Sequence, residues 1–475
     1  MENGFKLNWS ALPAGAPEWY RNAKFGLFFH WGPYSVPAFG NEFYSHNMYD
    51  LGQYQHYYHE KKYGKLSEFG YKDFMPMFTA PRFNPDEWAD MIAESGARYA
   101  GPVSEHADNF SMWNSRVNPV NSMTYMRRDV VGECFEAFRR RGIRTLCSFH
   151  HQFLWGWYEG TDPDADSYDP KNERFYGKII EEGRLRGKMP DTASPEFCQT
   201  WLNKLTECVC AYKPDMVYFD GMLNILPEEI RLKAIETIFK TYPNALISSK
   251  GEDLPDFIGI KDLECKRYDA QRKEPWQSGD RLETNITWCW VEGTEYKTPR
   301  RVIESIADVV SKNGNYLMNI GPKADGTFDE RAKSVLKQVG VWLKTNGEAI
   351  YATRPFEVYG EGSDKLRYSL YGSIVFNGKF GSGISHDSTI GDMGADDVRF
   401  TLSKDGKTVY AILMSPPKDM LIKTLKTGGV LENVSSVRLL DSNASLGYER
   451  SEDGLKVFIP EGLDRSMPVA LAIAK

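Results

Sequence analysis

A repeated pair of elements constrains the fold of this chain more than any other feature. A short apolar run, a polar loop and a helix-patterned stretch follow one another from "KFGLFFHWG" at 24–32 to "DERAKSVLKQVGVWLKTNGEAI" at 329–350. Such alternation predicts parallel strands covered by helices, and seven or eight units within about 340 residues predict an α/β fold of the closed (β/α)8-barrel type. The alternative is an open doubly wound sheet, which usually has a Gly-rich phosphate loop after its first strand, and this sequence has none there.

The pattern changes after residue 352. Runs such as "FEVYG", "LRYSLYG", "SIVFNG", "DVRFTLS" and "KTVYAILM" alternate apolar and polar residues, and Gly, Asp and Asn turns separate them. This pattern is typical of a C-terminal antiparallel β-sandwich. We therefore expect two domains, a barrel over residues 1–352 and a β-sandwich over 353–475.

Charge and hydropathy exclude several classes of function. The net charge is −7 with both signs interspersed and no basic run, which argues against a nucleic-acid partner. No apolar stretch reaches about 18 residues, so we expect no membrane span. The N-terminal "MENGFKLNWS" lacks the apolar segment of a signal peptide. The expected location is periplasmic or extracellular if a leader has been removed, and cytoplasmic otherwise; the sequence does not indicate an oligomeric state.

The residues that follow the apolar runs are the candidates for chemistry, because barrel enzymes place their sites at the carboxyl ends of the strands. In chain order they are His30 and Trp31, Glu42 in the next loop, Glu105 and His106, His150 and His151, Asp220, Glu264, Glu283, Trp288 and Trp290. Carboxylates and imidazoles bind hydroxyl groups, and aromatic faces pack against sugar rings. The high aromatic content, 12 Trp, 26 Tyr and 26 Phe, suits the same use and equally suits a large core. An oligosaccharide substrate is therefore expected, with Trp290 among its contacts.

The motif "VYFDG" places Asp220 at the tip of an aromatic-rich strand, with a glycine behind it that lets the chain turn away. Its structural interpretation is a loop or helix-capping aspartate. Its functional interpretation is the nucleophile of a retaining glycosidase, which needs a second carboxyl group about 5–5.5 Å away as acid and then base. Glu264 and Glu283 are the two candidates for that partner.

A metal site is the rival use of the histidines. His30, His106, His150 and His151 could bind zinc together with a carboxylate, but neither HxH nor HExxH spacing is present. The seven cysteines form no CxxC pair and are expected to be buried thiols. We expect no metal and no other cofactor.

Six motifs along the chain are informative together: "WYRNAKFGLFFHWGPYSVP", "NEFYSHNMY", "FNPDEWADMIAESGARYAG", "VYFDG", "GNYLMNIGPKADGTF" and "VGVWLKTNGEAIYAT". In combination they closely resemble glycoside hydrolase family 29, the α-L-fucosidase family of retaining enzymes. The resemblance runs from about Trp19 to Tyr351, and the trailing sandwich also fits it. It implies hydrolysis of terminal α-L-fucose by double displacement through a covalent glycosyl-enzyme.

The resemblance also implies roles for individual residues. His30, Glu42 and His106 fall on positions that bind sugar hydroxyls, and Trp31 is expected to form a wall of the same pocket. Asp220 falls on the position of the nucleophile.

The acid/base lies in a variable region of the family. We favour Glu264, which ends its own strand run, over Glu283, which stands where the family has "WE" and this chain has "LE". The acid needs a proton at working pH, so burial and the charge on Asp220 are expected to raise its pKa.

Two departures from the family bear on the sugar. The second run is followed by "SEHADNF", with Glu105 in place of a histidine, and the third reads "SFHHQF", with His150 where tyrosines are usual. An added acceptor near C6 would suit L-galactose, which is fucose with one more oxygen, because a site built around a hydroxyl rejects the analogue that lacks it. The alternative function is thus an α-L-galactosidase acting on terminal α-L-galactose of algal-type galactan oligosaccharides. The structural interpretation of Glu105 and His150 is hydrogen bonding behind the pocket. A degenerate sugar-binding barrel and a metal-dependent hydrolase are the other classes.

Overall fold

Eight parallel strands close into a barrel in the order in which they occur along the chain. The computed structural model describes residues 8–180, 192–251, 253–268, 270–362 and 393–475. The barrel strands are β1 (Phe25–Phe29), β2 (Tyr99–Glu105), β3 (Arg144–Phe149), β4 (Met216–Phe219), β5 (Leu246–Lys250), β6 (Ile260–Asp262), β7 (Trp276–Arg281) and β8 (Gly314–Asn319). Pairing of β1 with β8 completes the closure. The predicted barrel is confirmed.

Helices surround most of this barrel. In chain order they are α1 (Glu18–Ala23), α2 (Tyr44–Asn47), α3 (Tyr54–Tyr63), α4 (Pro85–Ser95), α5 (Ser122–Met126), α6 (Val130–Arg140), α7 (Glu173–Tyr176), α8 (Pro195–Tyr212), α9 (Glu228–Thr241), α10 (Pro299–Ser311) and α11 (Glu330–Asn346). Within the described residues, β5 joins β6 and β6 joins β7 without an α-helix. The alternation read from the sequence is therefore incomplete on that side of the barrel.

Helix α4 shows how local sequence fixes these elements. Asn84 accepts hydrogen bonds from backbone N–H groups of the first turn, and Pro85 occupies a position where no N–H is needed. Gly96 ends the helix with φ +84°, a left-handed conformation that favours glycine. Trp88 and Ile92, one turn apart, bury the same face. Such a cap typically contributes about 1 kcal/mol.

The two-residue period of the strands decides which side chains enter the barrel. In β1, Phe28 belongs to the core inside the barrel, whereas Leu27 and Phe29 belong to the core beneath the helices. His30 points to the inside of the barrel, like Phe28, and Trp31 points toward the helices, like Phe29. The same alternation holds at the end of β3, whereas an irregularity in strand pairing between Val103 and Glu105 interrupts it at the end of β2.

Antiparallel sheets follow the barrel. A five-stranded sheet has the order β13-β16-β11-β10-β9, and a three-stranded sheet has the order β12-β15-β14. These strands are β9 (Arg354–Glu361), β10 (Val398–Leu402), β11 (Thr408–Leu413), β12 (Asp419–Ile422), β13 (Ser436–Leu439), β14 (Tyr448–Arg450), β15 (Leu455–Phe458) and β16 (Val469–Ala474). The predicted runs "LRYSLYG" and "SIVFNG" lie outside the described residues. The exact domain boundary at 352/353 stays a prediction; it falls between α11 and β9.

The inner strands β16, β11 and β10 of the five-stranded sheet are buried on both faces. Along β11, Val409, Ala411 and Leu413 pack against the smaller sheet, and Tyr410 and Ile412 join the core of the barrel. The strand therefore reads as almost continuously apolar although it is antiparallel. No helix within the described ranges is both long enough and apolar enough to cross a membrane.

Candidate active site

A cavity of about 420 Å³ opens at the carboxyl ends of the barrel strands, a region we call the barrel mouth. All the strands except β8 place a lining residue there, at their ends or in the loops that follow. The lining consists of Phe28, His30, Asn41, Glu42, Phe43, Asn47, His106, Ala107, His150, Phe153, Trp157, Tyr218, Asp220, Lys250, Glu264, Cys265, Lys266, Arg281, Ile286 and Trp288. Charged, imidazole and aromatic groups thus meet in one pocket.

Asp220 follows β4 directly and lies in this cavity. Gly221 then adopts φ +99°, so the chain turns away at once and the carboxylate remains at the mouth. The side-chain amide of Gln152 donates to the carbonyl oxygen of Gly221 at 2.5 Å, which fixes the turn. The glycine after the aspartate therefore has the turning role that the motif indicated.

Three side chains surround the carboxylate of Asp220. His150 Nδ1 lies 3.1 Å from Oδ2, the Tyr218 hydroxyl donates to Oδ1 at 3.2 Å, and Lys250 Nζ forms an ion pair with Oδ1. Burial alone would raise the pKa of Asp220, but the charges of His150 and Lys250 outweigh it and hold that pKa well below its ordinary value. Asp220 is an anion at neutral pH.

Lys250 joins Asp220 to Glu264. Its Nζ lies 2.8 Å from Glu264 Oε2, so one ammonium group separates the two carboxylates. Burial opposes the charge of Lys250, but the two carboxylates outweigh that effect and raise its pKa. Sequence reasoning missed Lys250, although it ends the run "LISSK" and the rule that selected Asp220 would have selected it too.

Glu283 lies elsewhere. Its side chain is deeply buried, with 1% exposure, and does not line the cavity, whereas the Glu264 side chain is 39% exposed. The backbone N–H of Gly321 donates to Glu283 Oε1 at 2.8 Å, and the Asn319 amide donates to Oε2 at 3.4 Å. Burial raises the pKa of Glu283 to about 7. The structure thus brings Glu264, and not Glu283, to the ammonium that contacts Asp220.

His30 is held in a defined tautomer by Asn319. The Asn319 Nδ2 group donates to the Trp288 carbonyl oxygen at 2.5 Å, so its Oδ1 faces His30 and accepts from both the backbone N–H at 3.1 Å and Nδ1 at 2.7 Å. Because an amide oxygen only accepts, Nδ1 carries the hydrogen. Burial lowers the pKa of His30 to about 3, so Nε2 of the neutral ring is a hydrogen-bond acceptor.

His106 and His150 lie beside His30. The ring centroids of His106 and His150 are 4.9 Å apart, and those of His30 and His150 are 5.2 Å apart. His106 Nδ1 is buried without a hydrogen-bond partner in the described part of the chain, and burial holds its pKa well below the usual value. Ser148 Oγ lies 2.8 Å from His150 Nε2 and fixes that ring from behind.

Glu42 and Trp288 line the cavity together. The Trp288 backbone N–H donates to Glu42 Oε2 at 2.8 Å, and burial raises the pKa of Glu42 to about 7. The Trp288 ring lies 5.3 Å from the His30 ring. Trp290, the indole predicted to contact the sugar, is not among the lining residues; Lys323 Nζ lies 5.1 Å from its ring. The lining indole is Trp288, two residues earlier.

Two further predicted contacts point away from the cavity. Trp31 packs against the Phe78 and Trp88 rings at 5.0 and 5.1 Å, and its Nε1 donates to the carbonyl oxygen of Lys323 at 2.8 Å. Glu105 forms an ion pair with Lys204 of α8 at 2.6 Å. Each directly adjoins a lining histidine, and consecutive residues of an extended strand point to opposite sides. The predictions that Trp31 and Glu105 contact the sugar are therefore corrected.

Aromatic side chains at the outer cavity were also missed. Phe43 and Trp157 pack with ring centroids 5.1 Å apart, and Phe153 lies 6.5 Å from Trp157. They come from loops after β1 and β3 rather than from strand ends. No periodicity in the sequence marks loop residues that fold back over a cavity, so no sequence signal could have selected them.

Comparison with known proteins places the chain in a family. A sequence model described as alpha-L-fucosidase matches residues 1–348, and one described as alpha-L-fucosidase C-terminal domain matches residues 391–474. Tissue alpha-L-fucosidase of Homo sapiens is 30% identical over 398 residues, which cover 78% of this chain and 77% of that protein. The match thus extends across both the barrel and the following sheets.

Solved structures share the fold. Thermotoga maritima alpha-fucosidase in complex with fucose has a TM-score of 0.75 and 24% identity, covering 99% of this chain and 100% of that one. A Bacteroides thetaiotaomicron alpha-L-fucosidase of glycoside hydrolase family 29 has a TM-score of 0.67 and 18% identity, with coverages of 97% and 99%. The barrel, the sheets that follow it and the family match lead to one conclusion: the chain belongs to the α-L-fucosidase family, glycoside hydrolase family 29.

Proposed function

We propose that the protein is a retaining exo-α-L-fucosidase that removes terminal α-L-fucose from glycans. The observation that carries the proposal is the pair of carboxylates, Asp220 and Glu264, on either side of one ammonium group in the cavity. A spacing of one bridging group is compatible with the about 5–5.5 Å that separates the two carboxyls of retaining enzymes. The relatives named above are alpha-L-fucosidases, and a covalent intermediate is trapped in the Bacteroides protein.

The inner cavity supplies groups for the sugar hydroxyls. His30 Nε2 accepts from one hydroxyl because Asn319 holds its hydrogen on the other nitrogen. His106 and Glu42 offer further polar atoms, and Trp288 offers an aromatic face to the apolar side of the ring. The sugar is thereby bound with its C1 atom directed at Asp220.

In the first step, Asp220 acts as the nucleophile. A carboxylate oxygen forms a bond to C1 as the bond from C1 to the glycosidic oxygen breaks, and Glu264 transfers its proton to that oxygen. The aglycone leaves as an alcohol and the fucosyl-enzyme has the β configuration. His150 and Tyr218 hold the carboxylate in place, since both contact it already in the free protein.

In the second step, Glu264 acts as the base. It takes a proton from water, the water oxygen forms a bond to C1, and Asp220 leaves as a carboxylate. The two inversions give α-L-fucose, so the product retains the configuration of the substrate. Lys250 is the positioning residue of both steps because it contacts both carboxylates.

The α-L-galactosidase alternative depended on Glu105 and His150 meeting a hydroxyl at C6. Glu105 accepts from Lys204 Nζ at 2.6 Å, and the same Nζ donates to Asn109 Oδ1 at 2.6 Å. His150 contacts Ser148 and Asp220. Neither observation favours an additional hydroxyl, so L-galactose is retained only as the comparison substrate of the test.

The test measures hydrolysis of paired aryl α-L-fucoside and aryl α-L-galactoside substrates, with the product anomer followed by NMR. The proposal expects fucoside turnover with α-L-fucose as the first product and a much lower kcat/KM for the galactoside. Faster hydrolysis of the galactoside would contradict the sugar assignment. A β-anomer as first product would contradict the retaining mechanism.

A further inference from the structure

Three histidines converge at one point of the cavity although they are far apart in sequence. His30, His106 and His150 follow β1, β2 and β3, and each is at least nine-tenths buried. One ring nitrogen of each lies within 4.8 Å of the corresponding nitrogens of the other two. Neighbouring positions of β1, β2 and β3 in the closed barrel bring these residues together.

The hydrogen bonds behind two of these rings match those of metal-binding histidines. Such a histidine usually donates its outer ring N–H to an oxygen acceptor, which fixes the ring and leaves the inner nitrogen for the metal. Asn319 Oδ1 accepts from His30 Nδ1 at 2.7 Å, and Ser148 Oγ lies 2.8 Å from His150 Nε2. His30 thus presents Nε2 to the cavity, and His150 presents Nδ1.

The third ring retains freedom to adjust. His106 Nδ1 has no hydrogen-bond partner among the described residues, although it is buried. Four-coordinate zinc with bonds of 2.0–2.1 Å places its ligand nitrogens about 3.4 Å apart. The three histidine nitrogens now lie up to 4.8 Å apart, about 1.4 Å more than the separation that zinc requires. Modest movements of the rings would therefore complete the site.

We propose that His30, His106 and His150 form a binding site for one divalent transition-metal ion of the zinc class, and that metal and sugar exclude each other. Imidazole ligands favour Zn²⁺, Co²⁺, Ni²⁺ and Cu²⁺ over the oxygen-seeking Mg²⁺ and Ca²⁺. Asp220 Oδ2 lies 3.1 Å from His150 Nδ1 and is within reach as a fourth ligand.

Metal binding at His150 Nδ1 releases the hydrogen by which that nitrogen contacts Asp220, and this proton passes to solvent, while Nε2 keeps its contact with Ser148 Oγ. The ion would occupy the place of the sugar hydroxyls and engage the carboxylate of Asp220. Zn²⁺ is therefore expected to inhibit reversibly and competitively. Mutual exclusion rests on the proposed function, whereas metal binding itself does not.

The binding test uses the full chain with Cys210→Ser, because Cys210 is the exposed cysteine and would bind Zn²⁺ itself. After treatment with a chelator and its removal, calorimetric titration with Zn²⁺ is expected to give one site per chain. Loss of a ligand in His106→Ala or His150→Ala is expected to weaken binding about tenfold or more. Circular dichroism checks that each variant is folded.

His46→Gln is the matched control. The His46 side chain is 30% exposed and its Nε2 lies 3.8 Å from Asp50 Oδ2, so this pair is a second histidine and carboxylate that could take up Zn²⁺. Its replacement is expected to leave Zn²⁺ affinity unchanged. Binding that is lost in His46→Gln and kept in His106→Ala would overturn the proposal, as would the absence of Zn²⁺ binding.

Co²⁺ provides a second readout that needs no variant. In the cluster it is expected to show the strong visible absorption of a four-coordinate ion, and added fucose is expected to abolish it. A weak six-coordinate spectrum, or a strong spectrum that fucose leaves unchanged, would overturn the proposal. Turnover of an aryl fucoside is measured separately with the metal-free enzyme that chelator treatment gives. Absence of turnover would then count against the proposed function, and absence of metal binding would count against the metal site.

Discussion

The barrel mouth and the junction between the barrel and the sheets each contain a buried aspartate, and the two aspartates differ in one respect. Asp220 at the mouth contacts His150 and Lys250, and its side chain is 16% exposed. Asp308 of α10 accepts from Arg399 of β10 at 2.6 Å and contacts Lys312 at 3.1 Å, with 2% exposure. In both, burial alone raises the pKa and the neighbouring cations hold it well below its ordinary value.

The difference between them is access rather than ionisation. Asp308 forms ion pairs with groups that join α10 to the five-stranded sheet, and it does not line the cavity. Asp220 has comparable partners but keeps one side toward the cavity. A strongly shifted pKa therefore does not identify a catalytic carboxylate by itself; the same shift serves a structural ion pair when no space adjoins it.

The largest expected effect separates the two aspartates by activity. Asp220→Gly is expected to lower kcat at least about 10³-fold, because the covalent intermediate cannot form. Added azide occupies the space of the lost carboxylate and attacks C1, so activity should return with a β-L-fucosyl azide as product, identified by NMR. Absence of that azide product would remove Asp220 as the nucleophile. Asp308→Asn, measured as folded protein, is the control and should keep kcat.

The next effect sharpens the choice between the two glutamates. Glu264→Ala is expected to lose about 10²–10⁴-fold in kcat/KM on glycosides with poor leaving groups and far less on activated aryl glycosides. The reason is that a good leaving group needs no proton. The Glu283 side chain lies behind Asn319, so Glu283→Gln is expected to lower kcat/KM by similar factors on both kinds of substrate. The reverse pattern would transfer the acid/base role to Glu283.

At the domain junction, the same comparison predicts a change in stability. Asp308→Asn leaves three buried cationic side chains, Arg267, Lys312 and Arg399, without their carboxylate. Breaking such a buried pair costs about 3–5 kcal/mol in the free energy of unfolding. Denaturant unfolding measures this loss. A change below that of an exposed ion pair, such as the one removed by Lys240→Gln, would show that the junction does not depend on Asp308.

A smaller effect tests how Lys250 acts on the nucleophile. Lys250→Met removes an ammonium that contacts Asp220, so the pKa of that carboxyl should rise. The acidic limb of the pH profile of kcat/KM is then expected to move to higher pH by about 1–2 units. A loss of rate with an unmoved limb would mean that Lys250 only positions the two carboxylates. Lys266→Met, which alters a lining lysine, is the matched control.

The smallest effect concerns Glu283 and stability. Its pKa is raised by burial to about 7 in the folded protein, above the ordinary value of an unfolded glutamate. Its contribution to stability is therefore complete below about pH 4.3 and is lost as the pH rises through 7. Glu283→Gln is expected to reduce the decline in unfolding free energy between pH 5 and 8 by about 1–3 kcal/mol. An unchanged decline in denaturant unfolding would contradict this assignment.

The fold could be predicted from the spacing of apolar residues, because that spacing follows the local geometry of strands and helices. Strand runs and capped helices such as α4 are each fixed within about a dozen residues, and their repetition left few architectures. The sequence did not give the orientation of three side chains next to lining histidines. They are Trp31 and Glu105, expected to contact the sugar, and His151, a candidate metal ligand. His151, for example, packs against Trp201 of α8 with ring centroids 5.1 Å apart. The two-residue alternation sets aside Trp31 and His151, but the irregularity in strand pairing between Val103 and Glu105 means that it does not give the orientation of Glu105.

The sequence by itself determined the barrel, the sheets after it and the place of Asp220, because strand ends and the turn at Gly221 follow from short-range pattern. Only the tertiary structure decided that Glu264 rather than Glu283 reaches Lys250, that Trp288 rather than Trp290 lines the cavity, and that three histidines from different strands meet. Those outcomes depend on closure of the barrel and on the paths of its loops. Contacts between residues tens to hundreds of positions apart set both, and no local period records them.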